Sequence, residues 1–145
     1  MTRIDRLPRR RRELPLAGVL FALAAPALAG PRVDYLLHCA GCHLADGRGS
    51  PGAVPSLAGP LGRIAASPAG RDYLARVPGA AQAPISDEAL AAVLNWLLLE
   101  FNRETLPPGF QPLSGSEVAR SRARARVLAD PLKLRRELWP DSTDY

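Results

Sequence analysis

The sequence predicts an all-α fold with long loops, and three observations carry that prediction. Leu90, Val93, Leu94, Leu97, Leu98 and Phe101 recur at helical spacing over residues 87–102. Prolines and glycines crowd residues 44–66, where Gly47, Gly49, Pro51, Gly52, Pro55, Gly59, Pro60 and Gly62 leave little room for regular structure. No stretch alternates apolar and polar residues as a strand does, and no internal repeat is visible.

Residues 1–29 stand apart from this domain. Arg3, Arg6 and the run Arg9 to Arg12 precede an apolar stretch from Leu14 to Leu28, which ends in Ala27-Leu28-Ala29 before Gly30. A basic start, a short apolar run and small residues at the end are the layout of a cleaved secretory signal peptide. A membrane span needs roughly twenty apolar residues, and this run is shorter and broken by Pro15 and Pro26. Arg11-Arg12 only loosely matches a twin-arginine signal, because Glu13-Leu14-Pro15 continues it poorly. The leader also carries most of the charge. The chain has 19 basic and 14 acidic residues, net +5; six arginines and two acids precede Gly30, so the remainder is net +1. The basic footprint expected of a nucleic-acid binder is therefore missing from the mature part. The expected division is a leader over 1–29, a domain over 30–106 and a helical extension over 107–145.

A short helix is expected over residues 31–38, and another from about Pro68 to Val77, ended by Pro78-Gly79. The strongest helix runs over 87–102. Ser86 is its N-cap, Asp87 and Glu88 sit where the helix dipole favours negative charge, and Ile85 can staple onto Leu90. Pro107-Pro108-Gly109 interrupts the chain. Ser114 and Glu117 form a capping-box pattern that opens a helical stretch to about Ala129. Asp130-Pro131 begins a last short helix to about Trp139.

Residues 38–43 read H-C-A-G-C-H and hold both cysteines and both histidines of the chain. Cys39-x-x-Cys42-His43 is the spacing of c-type haem attachment. Two thiols can add across the two vinyl groups of the porphyrin, and the next residue, His43, is then placed to bind the iron. Three other uses of these residues compete with it. A structural zinc site needs four ligands, and no second pair exists. A thioredoxin-like redox pair would follow a strand. A plain disulfide leaves the adjacent histidine unexplained. His38 reads as a half-exposed histidine at a helix end, since it projects from the position before Cys39, away from the face of His43.

From His38 to Asn102 the sequence resembles class I cytochrome c, a small all-α fold wrapped around one covalently attached haem. Beyond the attachment motif, P-S-L-A-G-P-L-G-R over 55–63 is similar to a loop of that family. The resemblance implies that the Pro55 carbonyl accepts the Nδ1 hydrogen of His43, and that Arg63 neutralises a haem propionate. It also implies that Tyr35 and Trp96 pack where the first and last helices of the family cross.

One departure matters. The family's second axial ligand is a methionine, and the only methionine here is Met1. The segment from Tyr73 to Gln82 resembles the family's methionine loop with a longer spacing between tyrosine and proline, and it puts Gln82 in the methionine slot. Three arrangements stay open: an iron with a vacant or water-filled sixth position, ligation by the Gln82 amide, or a ligand from elsewhere among Lys133, Tyr73, Asn95 and Asn102. A thioether is soft and raises the reduction potential, so each arrangement implies a lower potential than that of the methionine-ligated proteins.

The extension carries Arg120, Arg122, Arg124, Arg126, Lys133, Arg135 and Arg136 against Glu117, Asp130 and Glu137. The reading is a solvated helix held by Val118, Val127 and Leu128, with docking to an acidic redox partner as the sharper idea. Together these features imply a periplasmic monohaem cytochrome with haem c as its cofactor. It would pass single electrons between a dehydrogenase and an acceptor such as a terminal oxidase or another cytochrome, and would not be an enzyme. The second expectation is a haem-based ligand binder or weak peroxidase. Neither has a nucleic-acid partner or an integral membrane segment.

Overall fold

Pro31 opens the first helix, α1 (Pro31–His38), because proline at the first helical position gives up no hydrogen bond. The computed structural model describes residues 30–59, 61–124, 128 and 130–140; the leader expected over 1–29 lies outside them, as do Pro60, Arg126 and Val127. A one-turn helix, α2 (Ala40–His43), follows at once and carries the cysteine motif. The segment after it, expected to be loop throughout, is interrupted by α3 (Leu61–Ile64).

Ser67 caps α4 (Pro68–Arg76) by accepting the Gly70 amide at 3.0 Å. The break expected at Pro78-Gly79 is real, but it does more than stop a helix. Pro78 becomes the first residue of α5 (Pro78–Gln82), the position where a missing amide costs nothing. Ser86 caps α6 (Asp87–Phe101) through the Ala89 amide at 3.1 Å, as its position suggests. A 3₁₀ turn over Arg103–Thr105 then tightens the exit.

Ser114 caps α7 (Gly115–Ala123) through the Glu117 amide, and this helix is shorter than the stretch expected to Ala129. Asp130 caps α8 (Pro131–Leu138) through the Lys133 amide at 2.8 Å. Among the described residues there is no strand, only an isolated bridge between Ser50 and Val54.

The core gathers the inward faces of these helices. Tyr35, Leu61, Ile64, Leu74, Leu90, Val93, Leu97 and Leu98 are buried in one cluster. α1 crosses α6, and there Tyr35, Trp96 and Phe101 meet as three rings, with centroids 5.1 Å apart for Tyr35 and Trp96. The aromatic pair expected at that crossing is present, and Phe101 completes it. The extension joins the same core. α7 lies along α6 and α4, α8 against α4, and Leu113, Val118 and Trp139 are buried in the shared cluster.

Asn102 locks the region below α6. It is 2% exposed, accepts the Leu61 amide, and donates to the Leu57 and Leu97 carbonyls. A buried amide so fully used ties the loop before α3 to the end of α6.

Candidate functional site

The cysteine motif sits at the junction of α1 and α2. Cys39 is half-buried and Cys42 exposed, and both are free thiols. Burial, and next the nearby Asp34, pushes the Cys39 thiol up from its ordinary value, which disfavours the thiolate. Among the described residues no group of three or more His, Cys, Asp or Glu could hold a metal ion, so the zinc reading has no donors to complete it.

His43 closes α2, and its Nδ1 lies 3.0 Å from the Pro55 carbonyl oxygen. A carbonyl only accepts, so Nδ1 must carry the hydrogen. In the neutral ring this leaves the lone pair on Nε2, the nitrogen then available to a metal. Burial pushes the His43 pKa down, and Arg135 adds to this, against the opposing effect of the Pro55 carbonyl. The ring is therefore neutral at physiological pH, as a ligand must be.

The loop that delivers Pro55 is built by short-range constraints. The Gly49 amide donates to the His43 carbonyl at 3.0 Å, and the Leu57 amide donates to Gly47 at 2.6 Å. Gly49 has φ +66°, and a Cβ there would overlap the Val54 carbonyl, so the turn requires glycine. Tyr35 donates its hydroxyl to the Leu44 carbonyl at 2.6 Å. Burial, with Cys39 and Asp46 nearby, pushes that hydroxyl up to about 12, so it stays a donor at physiological pH.

Four large apolar side chains flank the motif in exposed positions: Val33, Leu36, Leu37 and Leu44. Apolar surface concentrated around two thiols and a metal-competent imidazole fits a large, flat apolar group bearing iron. This donor set and its surroundings suit haem.

The other expected residues lie further along the chain. Arg63 is on α3 and exposed; Gln82 ends α5 and is exposed; His38 ends α1 half-buried. Of the remaining ligand candidates, Tyr73 is buried in the core and Lys133 is exposed on α8. Asn95 is engaged with the Leu113 backbone at 2.9 and 2.7 Å, and Asn102 is spent on three buried hydrogen bonds. Neither amide is available to an iron.

Arg120, Arg124 and Arg136 are exposed and Val118 is buried, as expected of a solvated helix, but two arginines of the extension depart from that expectation. Arg122 turns inward. Its guanidinium donates to the Ala81, Ala83 and Ile85 carbonyls and to Asp87, and so pins the chain immediately after Gln82. Arg124 pairs with Asp72. Arg135 is 2% exposed, donates to the Ser56 carbonyl at 3.0 Å and lies over the Trp139 ring. Sequence reasoning missed the burial of Arg135; the one local hint is Trp139, four residues on, which places a ring over its guanidinium.

No protein-family model matches the chain. It is 36% identical over 118 residues to a protein named cytochrome c-552 from Thermus thermophilus, an alignment covering 66% of this chain and 90% of that protein. A second cytochrome c-552, from a designated strain of the same species, shows the same 36% identity and is covered over 80% of its length.

Proposed function

The chain belongs to the class I c-type cytochromes, electron carriers with covalently bound haem c, and from that premise we propose that it works in the periplasm, passing single electrons from a dehydrogenase to a terminal oxidase or another cytochrome. The observation that carries this reading is the His43 imidazole, held neutral by burial and oriented by the Pro55 carbonyl, directly after the paired thiols. Haem c supplies the one-electron iron couple.

The residues have separate parts in this reading. The Cys39 and Cys42 sulfurs would hold the porphyrin through two thioether bonds, formed when the thiols add across its two vinyl groups. His43 Nε2 would bind the iron, and the Pro55 carbonyl, beside Nδ1, would fix the ring plane and strengthen the imidazole as a donor. Arg63 would balance a propionate charge. Gln82 would face the iron across the ring from His43, as the resemblance implies, and the carbonyls that flank it, Ala81 and Ala83, are tied to Arg122. A rigid frame of this kind keeps reorganisation on electron transfer small. The leader over residues 1–29 would deliver the chain to the compartment where such attachment occurs. Among the described residues no helix is long and apolar enough to cross a membrane.

A second reading is favoured by one sequence fact, the lack of any methionine after Met1. In this reading no thioether would hold the iron's remaining position, and the protein would act as a small-ligand binder or weak peroxidase. The segment 78–85 offers no histidine to assist peroxide chemistry. Visible spectra of the oxidised and reduced protein, with and without carbon monoxide, separate the two. A low-spin iron inert to carbon monoxide supports electron carriage alone. A high-spin iron that takes it up at once moves the weight to ligand binding.

A further inference from the structure

His43 and Arg135 are held by consecutive carbonyls of one loop. His43 Nδ1 donates to Pro55 and Arg135 Nη2 donates to Ser56, both at 3.0 Å. Neighbouring residues of a chain lie about 3.8 Å apart, so the guanidinium and the imidazole share one short piece of backbone although 92 positions separate them in sequence. Arg135 is almost completely buried, and the Trp139 ring lies against its guanidinium, 5.6 Å from centroid to carbon. It arrives from the extension, the part of the chain beyond the domain that resembles the cytochromes.

We propose that Arg135 is a positioning residue for electron transfer, a buried cation beside the axial histidine that raises the reduction potential of the iron. The physical reason is charge. Reduction lowers the charge of the haem centre by one unit, so a nearby cation favours the reduced form. Burial keeps water and salt from screening it. Where a sulfur ligand is missing, such a charge offsets part of the lost stabilisation of ferrous iron.

This proposal rests on the haem reading above, and its test separates the two. Midpoint potentials would be measured by spectroelectrochemistry on haem-loaded wild type, Arg135→Gln, Arg135→Lys and Arg136→Gln. Glutamine can still donate to the Ser56 carbonyl but carries no charge; lysine keeps the charge; Arg136 is an exposed cation on the same helix. The expected result is a tenfold shift toward the oxidised form in Arg135→Gln, about 59 mV for a one-electron couple. The shift should be largely independent of salt, with little change in Arg135→Lys and Arg136→Gln. If Arg135→Gln fails to accumulate, Arg135→Met fills the same buried volume without charge and carries the same expectation. Equal potentials in Arg135→Gln and wild type, or equal shifts in the glutamine and lysine variants, would overturn the proposal and leave Arg135 a structural clamp. Wild-type protein without a covalent haem spectrum would instead overturn the haem reading itself.

Discussion

Arg71 holds Glu117 through two parallel hydrogen bonds, Nε to Oε1 at 2.6 Å and Nη2 to Oε2 at 2.7 Å. The pair joins α4 to α7, and so fastens the extension to the body. Arg71 also donates to the Gln111 carbonyl and lies over the Phe110 ring. The hydrogen bonds from Arg71 hold the Glu117 carboxyl below its ordinary value of 4.5. The sign follows from linkage: the folded state gives up this proton more readily than the unfolded chain does. The stabilisation is complete above the ordinary value and is lost as pH falls through the depressed one. Glu117→Gln should cost about 1 kcal/mol near neutral pH and flatten the pH dependence of the melting temperature below pH 5. Thermal melts of both proteins between pH 7 and pH 3 check this; parallel curves would contradict it.

Arg122 makes a second tie, to the carbonyls of residues 81, 83 and 85. One planar guanidinium satisfies all three, which a single ammonium cannot do with the same geometry. Arg122→Ala should destabilise the protein by about 2 kcal/mol, and Arg122→Lys should restore little of it. In the open-iron reading, where carbon monoxide binds wild type, it should bind the variant faster, because the tied carbonyls flank Gln82. Stopped-flow mixing reads that rate directly.

Asn102 satisfies one amide and two carbonyls from inside the core. Asn102→Leu has similar volume but strands all three groups, and each buried group left unsatisfied costs about 1–3 kcal/mol. Chemical denaturation should show a loss of about 3 kcal/mol or more. Asn102→Asp keeps the acceptor for the Leu61 amide but turns a carboxylate oxygen toward two carbonyls in a buried site, and should cost at least as much as Asn102→Leu.

Gly49 allows the turn that brings the loop back under His43. Gly49→Ala combines a left-handed backbone with a Cβ placed on the Val54 carbonyl, at a cost of about 2 kcal/mol. The variant should yield less haem-loaded protein, and its melting temperature should drop, both relative to Gly52→Ala. Gly52 also has positive φ, but a Cβ there meets no neighbour.

Local signals make much of this fold legible in advance. Pro31, Ser86, Ser114 and Asp130 announce helix starts because capping is settled within three or four residues. The Cys39-x-x-Cys42-His43 spacing is equally local, and Tyr35 and Trp96 meet as the family resemblance implies. What stays hidden depends on the path of the chain in space. Pro78 reads as a stop, although proline serves as well to open a helix as to end one. Arg122 and Arg135 read as surface charges, because nothing within a few residues tells an arginine which distant carbonyls it will meet. Phe101 reads as one more residue on a helical face, and its part in the three-ring contact emerges only once α1 crosses α6.

The proposed roles of Cys39 and Cys42 in carrying the porphyrin, and of His43 in binding its iron, underlie every functional statement above. Their most direct test is the intact mass of the denatured protein made in a host that matures c-type cytochromes. Wild type should exceed its polypeptide by one haem, and Cys39→Ala/Cys42→Ala should not. An unmodified wild-type mass, or a haem retained covalently in the double variant, would contradict those roles.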